Sequence, residues 1–334
     1  AWDHFLAGHP DLAPSCRFAW VDLLRDVFST ECHLLMATDD MGRVLGVLPL
    51  YPSRTASREL VLYSPYCGLV VDDPMAERLL LARAAELSHQ LSATRCEISS
   101  RASIASARDG LAEKSTVVLE ISGGLEEAWK RIGAKSRNMV RKGEKHGLVA
   151  ERGAHNLQAF YDIYRERLLS LGVAIYGYDF FEAAVRYFAD DAELIVARHD
   201  GSVVGGILML YGTGCAMYPF QAARSRYMNM AVTQFLIWEA VRSGVERGVQ
   251  RIDMGESRVG SSVYQSKVNF GGTPENINYL RQSFGSTSGT AYGRYLARLY
   301  GARARVARFM VTRAAMPLRQ PFALWLRRQG KLLF

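Results

Sequence analysis

One pattern occurs twice in this chain and narrows what it can fold into. The stretch HLLMATDDMGRVLGVLPLY, from His33 to Tyr51, returns as ELIVARHDGSVVGGILMLY from Glu193 to Tyr211. Each reads as a strand, a polar turn with glycine, and a return strand with a glycine midway (Gly46; Gly205 and Gly206). After each hairpin the apolar pattern predicts a further strand, a long helix and another strand. The long helices are expected over Met75 to Leu91 and Met228 to Gly248. The spacing therefore predicts a duplicated α+β unit about 150 residues long. We divide the chain into an N-terminal unit over 1–123, a connector over 124–148, a C-terminal unit over 149–284, and a tail over 285–334.

Composition excludes several classes. With 49% hydrophobic and 22% charged residues, the 334-residue chain is globular rather than disordered. Five cysteines, at 16, 32, 67, 96 and 215, show no CxxC spacing, and the seven histidines form no ligand cluster. Reduced thiols, no metal, and a cytoplasmic setting, or one at the inner membrane face, are expected. No apolar run is long enough to predict a transmembrane helix.

The net charge of +8 is unevenly placed. From Trp129 to Leu148 the chain reads as one helix on which Lys135, Arg137, Arg141, Lys142 and Lys145 crowd together. Arg137, Arg141 and Lys145, at i, i+4 and i+8, share a face, and like charges so spaced repel. A phosphate-rich partner explains them better than helix stability does. The tail holds no Asp or Glu, while Arg and Lys from Arg294 to Lys331 alternate with apolar residues at helical spacing. An anionic membrane surface or a packing site on the C-terminal unit would each suit it.

Three stretches resemble one family. KSRNMVRKGEKHGL (Lys135–Leu148) matches its basic helix, LGVAIYGYDFF (Leu171–Phe181) resembles its Leu-Gly-x-Pro-Val segment, and DMGESRVGSSVYQSKVNFGG (Asp253–Gly272) resembles its Asp-Phe-Gly-Arg-Ser-Lys pattern. In order, on a duplicated chain, they resemble the FemAB-like branch of the acetyltransferase (GNAT) superfamily, and most of all its members found with exopolysaccharide and exosortase systems. The resemblance implies tandem GNAT-like domains, here with a basic helical tail. It also implies transfer of an acyl or aminoacyl group to an amine or hydroxyl of an envelope or exopolysaccharide precursor. The donor would be a co-substrate, aminoacyl-tRNA or an acyl-thioester, with no permanently bound cofactor; the acceptor would be small or lipid-linked. Lys267 occupies the position of the family's charge-stabilising lysine. Glu256 stands where close relatives carry Arg.

The residues themselves suggest further roles. Asp253 is a candidate proton acceptor, and Arg258 a phosphate or carboxylate clamp. Lys135, Arg137 and Arg141 are candidates for holding phosphates. Tyr176, Tyr178 and Tyr218 are candidates for orienting an acceptor. No Ser-His-Asp order stands out, which favours direct attack by the acceptor over a covalent enzyme intermediate. The stretch Ala223–Asn229, ahead of the second long helix, has no glycine, so a backbone cradle for CoA phosphates is not expected. Arg224 is a candidate phosphate ligand there. The competing reading is a non-catalytic module that binds RNA or anionic membrane through its basic segments.

Overall fold

A computed structural model of the protein describes residues 1–54, 59–64, 66, 68–102, 104 and 114–284. The basic tail, Cys67 and part of the stretch after Arg101 lie outside the described residues. The first half contains α1 (Trp2–Leu6), α2 (Phe18–Phe28), β1 (His33–Thr38), β2 (Val44–Arg54), β3 (Leu60–Tyr63), β4 (Val70–Val71), α3 (Pro74–Gln90) and β5 (Arg95–Ser100). Then come β6 (Lys114–Glu120), α4 (Gly124–Arg131), α5 (Ala134–Lys145), β7 (Val149–Arg152), α6 (Leu157–Ser170) and α7 (Tyr178–Phe188). The chain continues through β8 (Ala192–His199), β9 (Ser202–Tyr211), β10 (Cys215–Ala223), α8 (Val232–Glu246) and β11 (Arg251–Arg258). It closes with α9 (Ser262–Phe270), β12 (Thr273–Asn276) and β13 (Asn278–Ser283).

Local chemistry sets these elements. In the first hairpin turn Asp39 Oδ1 accepts from the N–H groups of Met41 and Arg43 at 3.0 and 2.8 Å, an Asx-type turn. Asp73 caps α3 by accepting from Met75 and Ala76, and Pro74 fills the first helical position. The basic segment is not one helix. It breaks between Arg131 and Ala134, because Ile132 is extended and the chain must pass under α9. A Cβ on Gly133 would sit 2.7 Å from the Asn269 carbonyl oxygen. The second long helix starts at Val232, later than the apolar pattern suggests, because Ser225–Met230 forms a 3-10 turn first.

The repeat is realised as two mixed sheets. The first runs β1-β2-β3-β5-β13, with β4 also on β2; the second runs β12-β6-β11-β10-β9-β8-β7. In each, an antiparallel hairpin leads to a parallel pair joined by a long helix: β3 with β5 through α3, and β10 with β11 through α8. The two halves exchange strands. β6, which falls before residue 123, pairs with β11 and β12 in the second sheet. β13, which falls at the end of the 149–284 unit, pairs with β5 in the first. The boundary drawn at 123 therefore separates β6 from the sheet it completes.

The second sheet is covered on both faces. On one, α2, α6 and α7 enclose an aromatic core of Trp20, Phe160, Tyr164, Tyr176, Phe180, Phe181 and Phe220. The α2 helix of the first half packs here, with Trp20 edge-on to Phe180 at 6.1 Å. On the other face α4, α5, α8 and α9 pack over Leu119, Val204, Leu236, Trp238 and Phe270. Phe181 is fully buried, with ring centroids of Tyr164 and Phe220 at 4.8 and 5.0 Å. Phe181→Ala should lower unfolding stability by about 3–5 kcal/mol, read as a reduced denaturant midpoint at unchanged slope.

Candidate active site

β10 and β11 run side by side only briefly. Their parallel pairing covers Cys215–Met217 against Arg251–Asp253 and then stops, although both strands continue. Each is bulged at that point. The register of β10 on β9 shifts between Met217 and Phe220, and that of β11 on β6 shifts between Asp253 and Glu256. Pro219, which has no N–H, lies in the first bulge, and bulges bend strands away from their neighbours. The sheet thus forks at Met217 and Asp253.

Asp253 sits at the fork with no solvent exposure. Oδ1 accepts from the Thr116 hydroxyl at 2.5 Å and the Gly255 N–H at 2.7 Å. Oδ2 accepts from the Tyr66 hydroxyl at 2.6 Å and from Arg101 Nη2 at 2.5 Å. Four donors occupy this carboxylate, so it has no lone pair facing a substrate proton. The role of proton acceptor does not suit it; it braces the fork.

Lys267 lies on α9, a short helix whose apolar pattern is weak. Ser261 caps the helix by accepting from the Tyr264 N–H. Lys267 Nζ donates to the Gly255 carbonyl at 2.7 Å and the Ser257 hydroxyl at 2.8 Å. Burial lowers its pKa to about 8, against the opposing pull of Asp253 and Glu256. Glu256 is engaged by Lys114 at 2.5 Å and by the Tyr279 hydroxyl. Gly255 has φ +80°, a backbone state that favours glycine, which lets its carbonyl turn toward Lys267.

Tyr218, the first β10 residue past the fork, is buried. Burial, with Asp253 nearby, raises its pKa and keeps it a hydroxyl donor. Burial also pushes the Cys16 and Cys215 thiols up to about 12, which removes them as nucleophiles at neutral pH. Among the described residues no histidine bonds to this group and no metal-ligand cluster is found.

The remaining candidates spread out. Tyr176 is a core residue stacked on Phe180 at 4.1 Å, because its segment turns inward between α6 and α7. Tyr178 packs edge-on against Tyr161 at 5.4 Å and is half-buried. Arg137 folds back on the break after α4, donating to the carbonyls of Trp129 at 3.3 Å, Lys130 at 3.2 Å and Ile132. Its Nη1 satisfies the orphan carbonyls of a helix end. Arg224 pairs with Glu166 at 2.7 Å. Arg258 is exposed at the end of β11, without an ion pair to Asp253 or Glu256 among the described residues.

Lys135, Arg141, Lys142 and Lys145 are exposed on α5, with the Arg141 guanidinium 5.4 Å from the Trp129 ring. This helix is tied to α9 through the Ser136 hydroxyl, which donates to the Asn269 carbonyl at 2.9 Å. The cationic helix and the Lys267 helix are therefore neighbours. Sequence analysis misses Tyr66, Arg101 and Thr116 because their partner, Asp253, is distant in the chain. Pro219 and Gly255, inside strands, are the sequence signals of the fork.

Residues 130–266 match the acetyltransferase (GNAT) domain. The described fold is similar to that of FemX, at 15% identity over 83% of this chain and 94% of that one, with a TM-score of 0.68. It is also similar to L-PGS from Bacillus licheniformis, at 11% identity over 90% and 95%, with a TM-score of 0.52. A conserved protein of unknown function from Bacteroides thetaiotaomicron follows, at 11% identity over 81% and 91%, with a TM-score of 0.57. No curated protein matches the chain. Arg137→Ala should lower stability by about 1–2 kcal/mol through loss of the α4 cap, measured by chemical denaturation, while the exposed cations of α5 stay in place.

Proposed function

We propose that this acyltransferase, a GNAT domain set in a FemAB-like fold, moves an acyl or aminoacyl group from an activated, phosphate-bearing donor to an amine or hydroxyl acceptor at the fork between β10 and β11. The observation that carries the reading is Lys267, held by Gly255 and Ser257 beside the fork with a third N–H to give. Past Met217 and Asp253 the strand pairing stops, so backbone groups on both sides are open to an extended ligand.

In this reading the acceptor attacks the donor carbonyl directly. Its nitrogen or oxygen forms the new bond, and the carbonyl oxygen takes negative charge. On collapse the donor's hydroxyl or thiol leaves, taking up the proton that the acceptor gives up. Lys267 donates to the oxyanion or to the leaving atom, and Tyr218 offers a second hydroxyl donor on the facing strand. No nucleophilic side chain is needed, in keeping with the buried, protonated thiols.

The donor is aminoacyl-tRNA or an acyl-thioester, its phosphates drawn by Lys135, Arg141, Lys142 and Lys145 on α5. The acceptor is a small or lipid-linked envelope or exopolysaccharide precursor, with the tail over 294–334 available to an anionic membrane. Purified protein supplied in parallel with aminoacyl-tRNA and with acyl-CoA identifies the donor by which one is consumed.

Lys267→Met should reduce turnover by more than about a hundredfold with its melting temperature kept. Full activity in that variant would remove the lysine from the mechanism. With a pKa of about 8, Lys267 is mostly an ammonium at neutral pH. The turnover that depends on it should fall as pH rises through about 8. Lys267→Arg, which stays charged, should lack that fall in the pH–rate profile. Replacing Lys142 and Lys145 by Gln should raise the donor KM and flatten its salt dependence, measured between low and physiological ionic strength.

A further inference from the structure

The two halves meet at one buried carboxylate, and that meeting reaches Lys267. Asp253 Oδ2 is held only from the first half, by Tyr66 and Arg101. Oδ1 holds the Gly255 N–H, and the carbonyl of Gly255 holds Lys267 Nζ. Gly255 falls inside the β11 bulge, where no ladder pairing to β6 fixes it. The carboxylate thus fixes the Met254–Gly255 peptide, one Cα from the Gly255 carbonyl that receives the ammonium.

We propose that Tyr66 and Arg101 are positioning residues for transfer, acting on Lys267 through Asp253 and the backbone of Gly255. The proposal rests on Lys267 as the group that meets the reacting carbonyl. It makes the site conditional on contact between the halves: a first half that shifts withdraws both donors from Oδ2, and the Gly255 peptide and Lys267 lose their alignment. A misplacement of about 1 Å in such a group costs up to about a hundredfold in rate.

Other charges near Lys267 are accounted for. Glu256 is on β11, engaged by Lys114 of β6 and Tyr279 of β13. Arg101 answers Asp253, with Glu275 of β12 at 3.4 Å on its other side. Tyr218 faces from β10 as a neutral hydroxyl, and the α5 contact to α9 is the uncharged Ser136–Asn269 bond.

The test uses the full chain with Tyr66→Phe, Asp253→Asn and Lys267→Met. Tyr66→Phe keeps the ring and removes one hydrogen bond. It should lower kcat by about tenfold with KM for both substrates within about twofold, at an unchanged melting temperature. In a Lys267→Met background the same substitution should cost less than about twofold further, because its effect passes through the lysine. Asp253→Asn removes the negative neighbour that favours the ammonium. The pH midpoint of Lys267, read by amine labelling and mass spectrometry, should fall below about 8, with the pH–rate profile moving in step.

Wild-type kcat in Tyr66→Phe, or a loss that simply multiplies with that of Lys267→Met, overturns the relay. If Asp253→Asn does not fold, the Tyr66→Phe pair of measurements decides alone. Full turnover in Lys267→Met is a different failure: it removes the reading of Lys267 and the relay with it. An inactive Lys267→Met beside a fully active Tyr66→Phe removes the relay alone.

Discussion

The carboxylate of Asp253 is taken wholly out of water, and a carboxylate so placed costs several kcal/mol unless donors replace its hydration. Four donors do so, and they come from β6, from β11 itself and from two places in the first half. Each brings its own segment to a fixed position around one point. Thr116 anchors the exchanged strand, Tyr66 and Arg101 anchor the first half, and Gly255 turns the backbone past the bulge. The arrangement around Lys267 is downstream of that requirement: a buried acid that must be satisfied holds the N–H of the residue whose carbonyl the lysine bonds.

The same repeat has two outcomes in the two sheets. In the first, the parallel pair β3 and β5 is stitched together beyond its ladder. The Ser64 N–H donates to Glu97, the Ser99 N–H to the Ser64 hydroxyl, and the Leu69 N–H to Ser99. In the second, bulges on both strands and Pro219 part the pair at the equivalent level. One seam is closed and one is open, so the duplicated chain has one fork among its described residues, and the first half braces it. Exchange of β6 and β13 ties the two halves together, since each sheet includes a strand from the other half of the chain.

Cations in this molecule divide by partner rather than by position in sequence. Arg137, Arg224 and Arg101 are spent on helix-end carbonyls, Glu166 and Asp253, respectively. Lys135, Lys142 and Lys145 keep their charge at the surface. Arg141 rests on the Trp129 ring, which in turn meets Trp238 at 4.7 Å, so this cation is pre-oriented and still accessible. A dense basic helix therefore presents fewer available charges than its sequence shows, on a better-defined surface.

How much was legible follows from which interactions are local. The hairpins, the two long helices and the parallel pairs follow from apolar periodicity, Asx turns and glycines, all settled within a few residues of chain. The family motifs, too, are local runs of sequence. Partner identity is not local. Tyr176 looks like a site tyrosine in sequence and is core, because burial depends on packing between α2, α6 and α7. Arg137 looks like a phosphate ligand and is a cap, because the break after α4 exists only once α9 lies beneath it. The exchange of β6 and β13 and the gathering of Tyr66, Arg101 and Thr116 onto Asp253 join residues more than a hundred positions apart. Such contacts leave no periodic trace in the chain, so the sequence by itself determined the elements and the candidate lysine, while the tertiary structure alone decided where the sheet opens and which groups hold the site.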